Sequence, residues 1–396
     1  MAHISSRDFL LRLSSKRLEL YCEHKEIKFK VDKEWESNER ADKFMEFVSK
    51  EDRKDKIEAE FQNIHDLACE QAIVAMIPKV ISPVLPPDFI GWVTHDKSMW
   101  FFLMAENIFN ETLLEWEMSN AKGWVKLQTS PLKEDLTEIL RGGKKEEMIK
   151  IKEKLEEQII RYYKETEMRG EYCKIDFFRK EGLSCFVVQP QDFPLIEPEF
   201  DQETGDFNKE NIRYPVFKIY FVHDSKRNRI SVKTRGRKDQ KIKLGGIFAE
   251  SVLGEAGIGE KDLVCYNLEV IKEDAFKLPA SMEEKGIESI SLIGMGVSVI
   301  GKGCNEHLFI TIPKEKVDTH KTMKKYITET LNFEWDELEI QKAKILFKFK
   351  PEVKKSRGTV TVDISDSSRS NTCNLGLKKF DQIVGDCLCE WGFDKR

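Results

Sequence analysis

Three stretches carry residue types at spacings that could do chemistry, and a fourth carries only charge. Gly296-Val-Ser-Val-Ile-Gly301-Lys302-Gly303 fits G-x-x-x-x-G-K but lacks the Ser or Thr whose hydroxyl holds Mg²⁺. A phosphate loop also needs a helix after it, so that backbone N–H groups face the phosphates. Here Cys304 to Ile312 reads as strand, and the alternation at Val297 and Val299 runs a strand through the supposed loop. Cys22 and His24 with His65 and Cys69 sketch a zinc site. Structural zinc sites, however, usually show paired Cys-x₂₋₄-Cys knuckles, and none occurs; Cys387 and Cys389 stand alone in an apolar terminal stretch. Packed thiols and a hydrogen-bonded histidine are the simpler reading. The acidic run Asp192, Glu197, Glu199, Asp201, Glu203 and Asp206 could hold Mg²⁺ for a nuclease only if strands fixed its geometry. It is interleaved with Pro194, Pro198 and Gly205, and it fails the EF-hand spacing, so a solvated loop is expected. A serine or cysteine triad assembles in space and leaves no local signature to weigh.

The strongest signal is the fourth. Lys226, Arg227, Arg229, Lys233, Arg235, Arg237, Lys238, Lys241 and Lys243 face one acid, Asp239, inside a chain whose net charge is −5. As a strand, Arg229, Ser231, Lys233 and Arg235 share one face and Ile230 and Val232 the other. Such a strand presents cations about 6–7 Å apart, close to the phosphate spacing along one nucleic-acid strand. A second row, Lys342, Lys344, Lys348 and Lys350, alternates with Ile345, Phe347 and Phe349, and Lys354, Lys355 and Arg357 crowd its turn. Protection of edge strands against strand-on-strand pairing explains the second row. It explains the first less well, because those charges run on past Gly236 into what reads as a loop. No helix-turn-helix, zinc finger or RNP-type aromatic motif accompanies the charge, so base-specific reading is unsupported.

The elements that would position these residues change character along the chain. Its 396 residues predict two to three domains. The first 168 read as a helical domain, from a helix opening at Ser5 or Ser6 and running to about Cys22, through helices over 39–49, 53–76 and 99–118, to a charged helix over 145–165. Pro78, Pro83, Pro86 and Pro87 mark a connector. After Gly170 the apolar period falls to two. Hairpins are predicted at Cys173–Phe178 with Leu183–Val188, and at Val216–His223 with Arg229–Arg235. A short helix follows at Gly245–Leu253, then a strand at Leu263–Ile271. Strands at Ile287–Ile300 and His307–Ile312, a helix at Val317–Leu331, a hairpin of Glu339–Phe349 with Thr359–Ile364 and a terminal helix at Leu375–Glu390 complete the order. The fold class expected is α+β: the helical domain, then two mixed α+β domains with antiparallel hairpins, over 169–282 and 283–396.

Composition bounds the function. Lys plus Arg is 65 against 70 Asp plus Glu, which excludes a globally basic nucleic-acid binder but not a basic face. Nothing reaches the roughly 18 apolar residues of a membrane span. The N-terminus lacks a signal-peptide pattern, and nine scattered Cys read as reduced thiols, so a cytoplasmic protein is expected.

Phe9-Leu-Leu-Arg-Leu13, Ile57-Glu-Ala-Glu-Phe61-Gln-Asn-Ile64, Pro215-Val-Phe-Lys-Ile-Tyr-Phe-Val-His-Asp224, Gly246-Ile-Phe-Ala-Glu-Ser-Val-Leu-Gly254 and Thr359-Val-Thr-Val-Asp363 form a set. As a set they resemble a family of uncharacterised bacterial proteins associated with mobile-element and phage-defence gene neighbourhoods. The resemblance implies an antiviral-defence context and carries no site residue. The expectation is a non-enzymatic accessory protein without metal or cofactor. Its basic hairpin, Lys226, Arg227, Arg229, Lys233, Arg235, Arg237, Lys238 and Lys241, would contact DNA or RNA backbone or another polyanion. A metal-dependent nuclease with carboxylates assembled from distant positions is one alternative, and a protein scaffold without nucleic acid is the other.

Overall fold

The computed structural model describes residues 4–81, 84–121, 123–180, 182–197, 199–200, 207–208, 212–264, 266–273, 276, 278–279, 281–299, 307–311, 319–351, 358–365, 372–373 and 379–393. Gly301 to Gly303, Cys304, Asp201, Glu203, Asp206, Cys265, Lys354, Lys355 and Arg357 lie outside them. The class is mixed α+β with antiparallel sheets. The chain divides into two compact units, Met1–Ser119 with Pro198–Asn211, and Asn120–Glu197 with Ile212–Arg396.

The first unit is built from α1 (Ser6–Leu10), α2 (Ser15–His24), α3 (Ser37–Val48), α4 (Lys54–Asp66), α5 (Glu70–Met76), α6 (Thr94–Met104) and α7 (Glu106–Asn120). Phe9, Phe44, Phe61 and Phe101 are fully buried in its core. Three stretches expected as continuous helices are each divided in two. The first breaks because Ser14 starts a new helix: its hydroxyl accepts the Arg17 N–H at 3.4 Å, and its own N–H donates to Asp96 at 2.9 Å. The second breaks where Cys69 takes an extended backbone ahead of α5, and the third at Ala105, whose φ of −141° leaves the helical region.

The second unit opens with β1 (Val125–Gln128), α8 (Glu134–Leu140) and the long α9 (Lys145–Glu167), followed by the hairpin β2 (Cys173–Lys180) and β3 (Leu183–Pro190). Between β3 and the next long strand lie two-residue ribbons. β4 (Leu195–Ile196) pairs with β7 (Ile212–Arg213), and β5 (Glu199–Phe200) with β6 (Phe207–Asn208), the latter pair falling in the first unit. Then come β8 (Ile219–Asp224), β9 (Arg229–Lys233) and α10 (Lys238–Phe248). These strands form one antiparallel sheet in the order β1-β9-β8-β3-β2. Alternation puts Phe186, Phe221, Ile230 and Val232 on the face covered by Leu155 and Ile159 of α9 and Leu244 and Phe248 of α10.

The second sheet is β10 (Ile287–Val299), β11 (His307–Thr311), β12 (Leu338–Phe349), β13 (Thr359–Ser365) and β14 (Thr372–Cys373), ordered β11-β10-β12-β13-β14. Its inner face, with Leu292, Ile345, Phe347 and Val362, packs on Met323 of α11 (Thr319–Lys325) and on Val384, Cys387 and Leu388 of α12 (Lys379–Glu390).

Two expectations fail here. Among the described residues of 263–271 no continuous strand forms; Leu263 bridges to Leu127 of β1, and Glu269–Lys272 makes a 3₁₀ turn. The buried alternation of this stretch serves a connector, with the Val264 N–H on the Lys126 carbonyl at 3.0 Å and Leu268 and Ile271 in the second sheet's core. The helix expected from Gly245 starts earlier, at Lys238. Gly236, at φ 122°, turns the chain into it; a Cβ there would come 2.0 Å from Gln240 Oε1.

Candidate nucleic-acid interface

The basic segment begins in a turn that Asp224 organises. Its carboxylate accepts the backbone N–H groups of Lys226 at 3.0 Å and Arg227 at 3.2 Å, an Asx-type closure. The same carboxylate holds the Arg227 guanidinium at 2.9 Å. Asn228, at φ 49°, completes the reversal in the left-handed region that Asn tolerates.

Beyond the turn, β9 is not an edge strand. β1 pairs along it from Val125 opposite Val232 to Gln128 opposite Arg229. Gln128 closes the end of the ladder from both sides. Its amide donates to the Arg227 and Asn228 carbonyls at 3.1 and 3.0 Å, and its oxygen accepts from Arg229 Nε at 3.1 Å. The alternation predicted for this strand is present, with Ile230 and Val232 buried on one face and Ser231 and Lys233 half-buried on the other. Arg229 departs from the expected exposed row, because only 7% of it is exposed.

The reason lies at the other end of the sequence. The face bearing Arg229 and Ser231 floors a cleft of about 280 Å³, walled by Asp381, Gln382, Gly385 and Asp386 of α12, with Trp124, Lys126 and Tyr266 beside them. α12 thus turns Val384 and Leu388 to the second sheet's core and a polar side to the first sheet. Arg227 bridges the two, ion-paired to Asp386 as well as to Asp224. Three carboxylates, Asp224, Asp381 and Asp386, line this cleft. Two of them are spent on Arg227, and among the described residues no three His, Cys, Asp or Glu side chains are placed to hold a metal ion.

The remaining cations divide by exposure. Lys233 and Lys241 are half-buried, and desolvation holds both amines below the usual lysine range, Lys241 further lowered by the charge of Lys233. Lys241 Nζ donates to the Gly123 carbonyl at 3.0 Å. Lys226 is exposed at the turn. Arg235, Arg237 and Lys243 are exposed, and Lys238 is half-buried, where β9 ends and α10 begins. Among the described residues the closest ion-pair partner of this group is Asp239, 4.0 Å from Arg237 with both side chains largely in solvent. No side-chain cap occupies the helix start, so its first N–H groups add partial positive charge. The segment is thereby sorted into structural cations (Arg227, Arg229) and free ones (Arg235, Arg237, Lys238, Lys243).

The other sequence candidates go elsewhere. His65 Nδ1 lies 3.1 Å from His95 Nε2, and burial pushes His95 down to about 4. Cys22 is buried in the first unit's core, its thiol raised to about 12 by desolvation. Asp192 is an ion-pair partner of Arg169, and Glu197 lies 3.6 Å from Arg213. Gly296 to Val299 belongs to β10. Sequence reasoning missed β1 and Asp386. Val125 and Leu127 do alternate with Lys126 and Gln128, a four-residue signal; the polar stripe Asp381, Gln382, Gly385, Asp386 is helical in spacing, but nothing in it names its partner. No family model matches the chain, and no curated protein matches it.

Proposed function

We propose that the protein is a non-enzymatic binding protein that holds a polyanion, with nucleic-acid backbone foremost, on the cations at the junction of β9 and α10. The observation that supports this reading is the group Arg235, Arg237, Lys238 and Lys243, four cations within nine residues with no close ion pair among the described residues. Backbone contacts need accessible cations near a low-dielectric surface and no base-reading element. Ile242, Ile258 and Gly259 floor a shallow groove beside Arg237, Lys238 and Lys243, with Asp239 and Glu260 on its rim.

Mobility shifts on single- and double-stranded DNA and RNA across a salt series test the proposal. About four phosphate contacts should give a log–log salt slope of about −3 to −4. The charge reversal Arg235→Glu, Arg237→Glu, Lys238→Glu, Lys243→Glu should abolish the shift on duplex DNA and RNA while the thermal melt stays put. Unchanged affinity in that variant would remove the reading. Running the series with Mg²⁺ and with EDTA exposes a nuclease through strand cleavage. A second reading, a scaffold for a protein partner, draws on Ile81, Val84 and Ile90, which are 92%, 84% and 87% exposed on the proline-rich connector. It predicts no salt-dependent nucleic-acid binding at all.

A further inference from the structure

The second lysine row does not sit where edge protection would put it. β12 is the central strand of its sheet, with β10 on one side and β13 on the other. Both flanks of the strand are therefore hydrogen-bonded, and Lys342, Lys344 and Lys348 guard no free edge. They stand instead on the face opposite the helices. Register places Lys344 opposite Gly294 and Asp363, and Lys342 opposite Gly296 and Ser365. Phe309 of β11 lies opposite Gly296 on this same face.

Phe309 is the odd residue there. It is a large apolar side chain, 51% exposed, on a face that carries Ser, Thr, Gly and Lys together with Asp363 and the half-buried Leu346. The two glycines explain how it lies. A Cβ at Gly294 would come 3.1 Å from Phe309 Cζ, and one at Gly296 3.4 Å from Phe309 Cδ2. The ring thus rests across the two positions that lack side chains and is about half exposed. Lys342 Nζ lies 5.5 Å from the ring centroid, within cation–π range. Asp363 approaches Lys342 only to 3.9 Å, and Glu288 takes Lys348 at 2.5 Å. Lys344 has no ion pair among the described residues. Lysines two residues apart on one strand face are about 6–7 Å apart.

We propose that this face is a stacking platform for single-stranded nucleic acid. A base would lie on the free side of the Phe309 ring, and Lys342 and Lys344 would meet the phosphates that flank it. The pairing follows from chemistry. A flat ring held on a glycine bed offers an aromatic face that every base can stack on, and adjacent ammonium groups select a backbone that carries charge at the same interval. A duplex does not fit, because its bases are already stacked on each other and its aromatic faces are closed. The platform uses none of the residues of the β9–α10 junction, so either site stands without the other.

The test is fluorescence anisotropy on the full chain with labelled oligothymidine and oligouridine of about 12 nucleotides, beside the matching duplex and heparin. Phe309→Ala should weaken oligothymidine and oligouridine about tenfold, with heparin and duplex unchanged, and Phe309→Trp should restore the single-strand affinity. Lys344→Glu should weaken the same two probes. Absence of single-strand binding by the native chain, equal affinity in Phe309→Ala, or an equal loss on heparin would each overturn the platform. The β9–α10 reversal separates the two sites, because it should act on heparin and duplex. Should Phe309→Ala melt with the native fold lost, photocrosslinking of 5-bromouridine oligomers to the native chain decides the matter. Adducts on β11 or β12 support the platform, and adducts confined elsewhere sink it.

Discussion

The two sheets of the second unit carry nearly the same sequence device, a strand alternating basic and apolar residues, and they put it to opposite use. In the first, the apolar side of β9 faces α9 and α10, while its basic side faces a cleft closed by α12. Arg229 is buried there, and Arg227 is consumed by Asp224 and Asp386. In the second, the apolar side of β12 faces α11 and α12, and its lysines stand on a face with an exposed aromatic ring. One helix, α12, makes the difference. Its apolar stripe serves the second sheet and its polar stripe the first. A cation's role is thus set by what lies across from it, which a local pattern does not encode.

Truncation should expose this contrast in order of size. The largest effect belongs to the shared apolar logic: Phe347→Ala, at a fully buried position, should cost about 3–5 kcal/mol, read by denaturant unfolding. A cost below about 1 kcal/mol would mean that the second sheet's inner face is not packed as described.

Next comes acid sensitivity of the first sheet. His223 of β8 is 1% exposed with neither ring nitrogen hydrogen-bonded, and burial pushes it down to about 4. The unfolded chain binds that proton near pH 6.5, so between about 6.5 and 4 the unfolded state is protonated and the folded state is not. Stability is full above that window and falls by about 1.4 kcal/mol per pH unit on descending through it. His223→Leu should show a shallower fall over the same window, and matching slopes would place the ring in water.

Arg229→Ala should then cost about 1–3 kcal/mol, since it strands the Gln128 amide oxygen and empties a buried position. The smallest effect is the matching change in the other sheet. Lys344→Ala should stay within about 0.5 kcal/mol of native. If the two truncations cost the same, the division into buried and open basic faces is mistaken.

Much of the fold was legible because it rests on local periodicity. The hairpins of β2 with β3, β8 with β9 and β12 with β13 stand close to where alternation puts them, as do α3 and α9. The misses share one cause. Ser14, Cys69 and Ala105 interrupt helices whose apolar stripes continue past them, Ser14 by capping a new helix and the other two by leaving the helical backbone region, so single residues override periodicity. Among the described residues of 263–271, Val264, Tyr266 and Leu268 are buried while Leu263, Asn267 and Glu269 are not, a pattern that a connector laid along a core shares with a strand. For the site, the sequence shows which residues are basic and which strand face they share. It does not show that β1 would cover β9, that Asp386 would reach Arg227 from 159 positions away, or that β12 would lie in mid-sheet. Those facts depend on strand order and helix docking, which long-range contacts decide.

The sorting of one basic segment into structural and free cations is tested most directly by a paired measurement on two variants, melting temperature beside heparin affinity. Arg227→Ala with Arg229→Ala should lower the melting temperature by several degrees and keep the affinity. The reversal of Arg235, Arg237, Lys238 and Lys243 to Glu should keep the melting temperature and lose the affinity. The opposite pattern, in which the buried pair carries the binding and the exposed four carry the stability, would contradict the account.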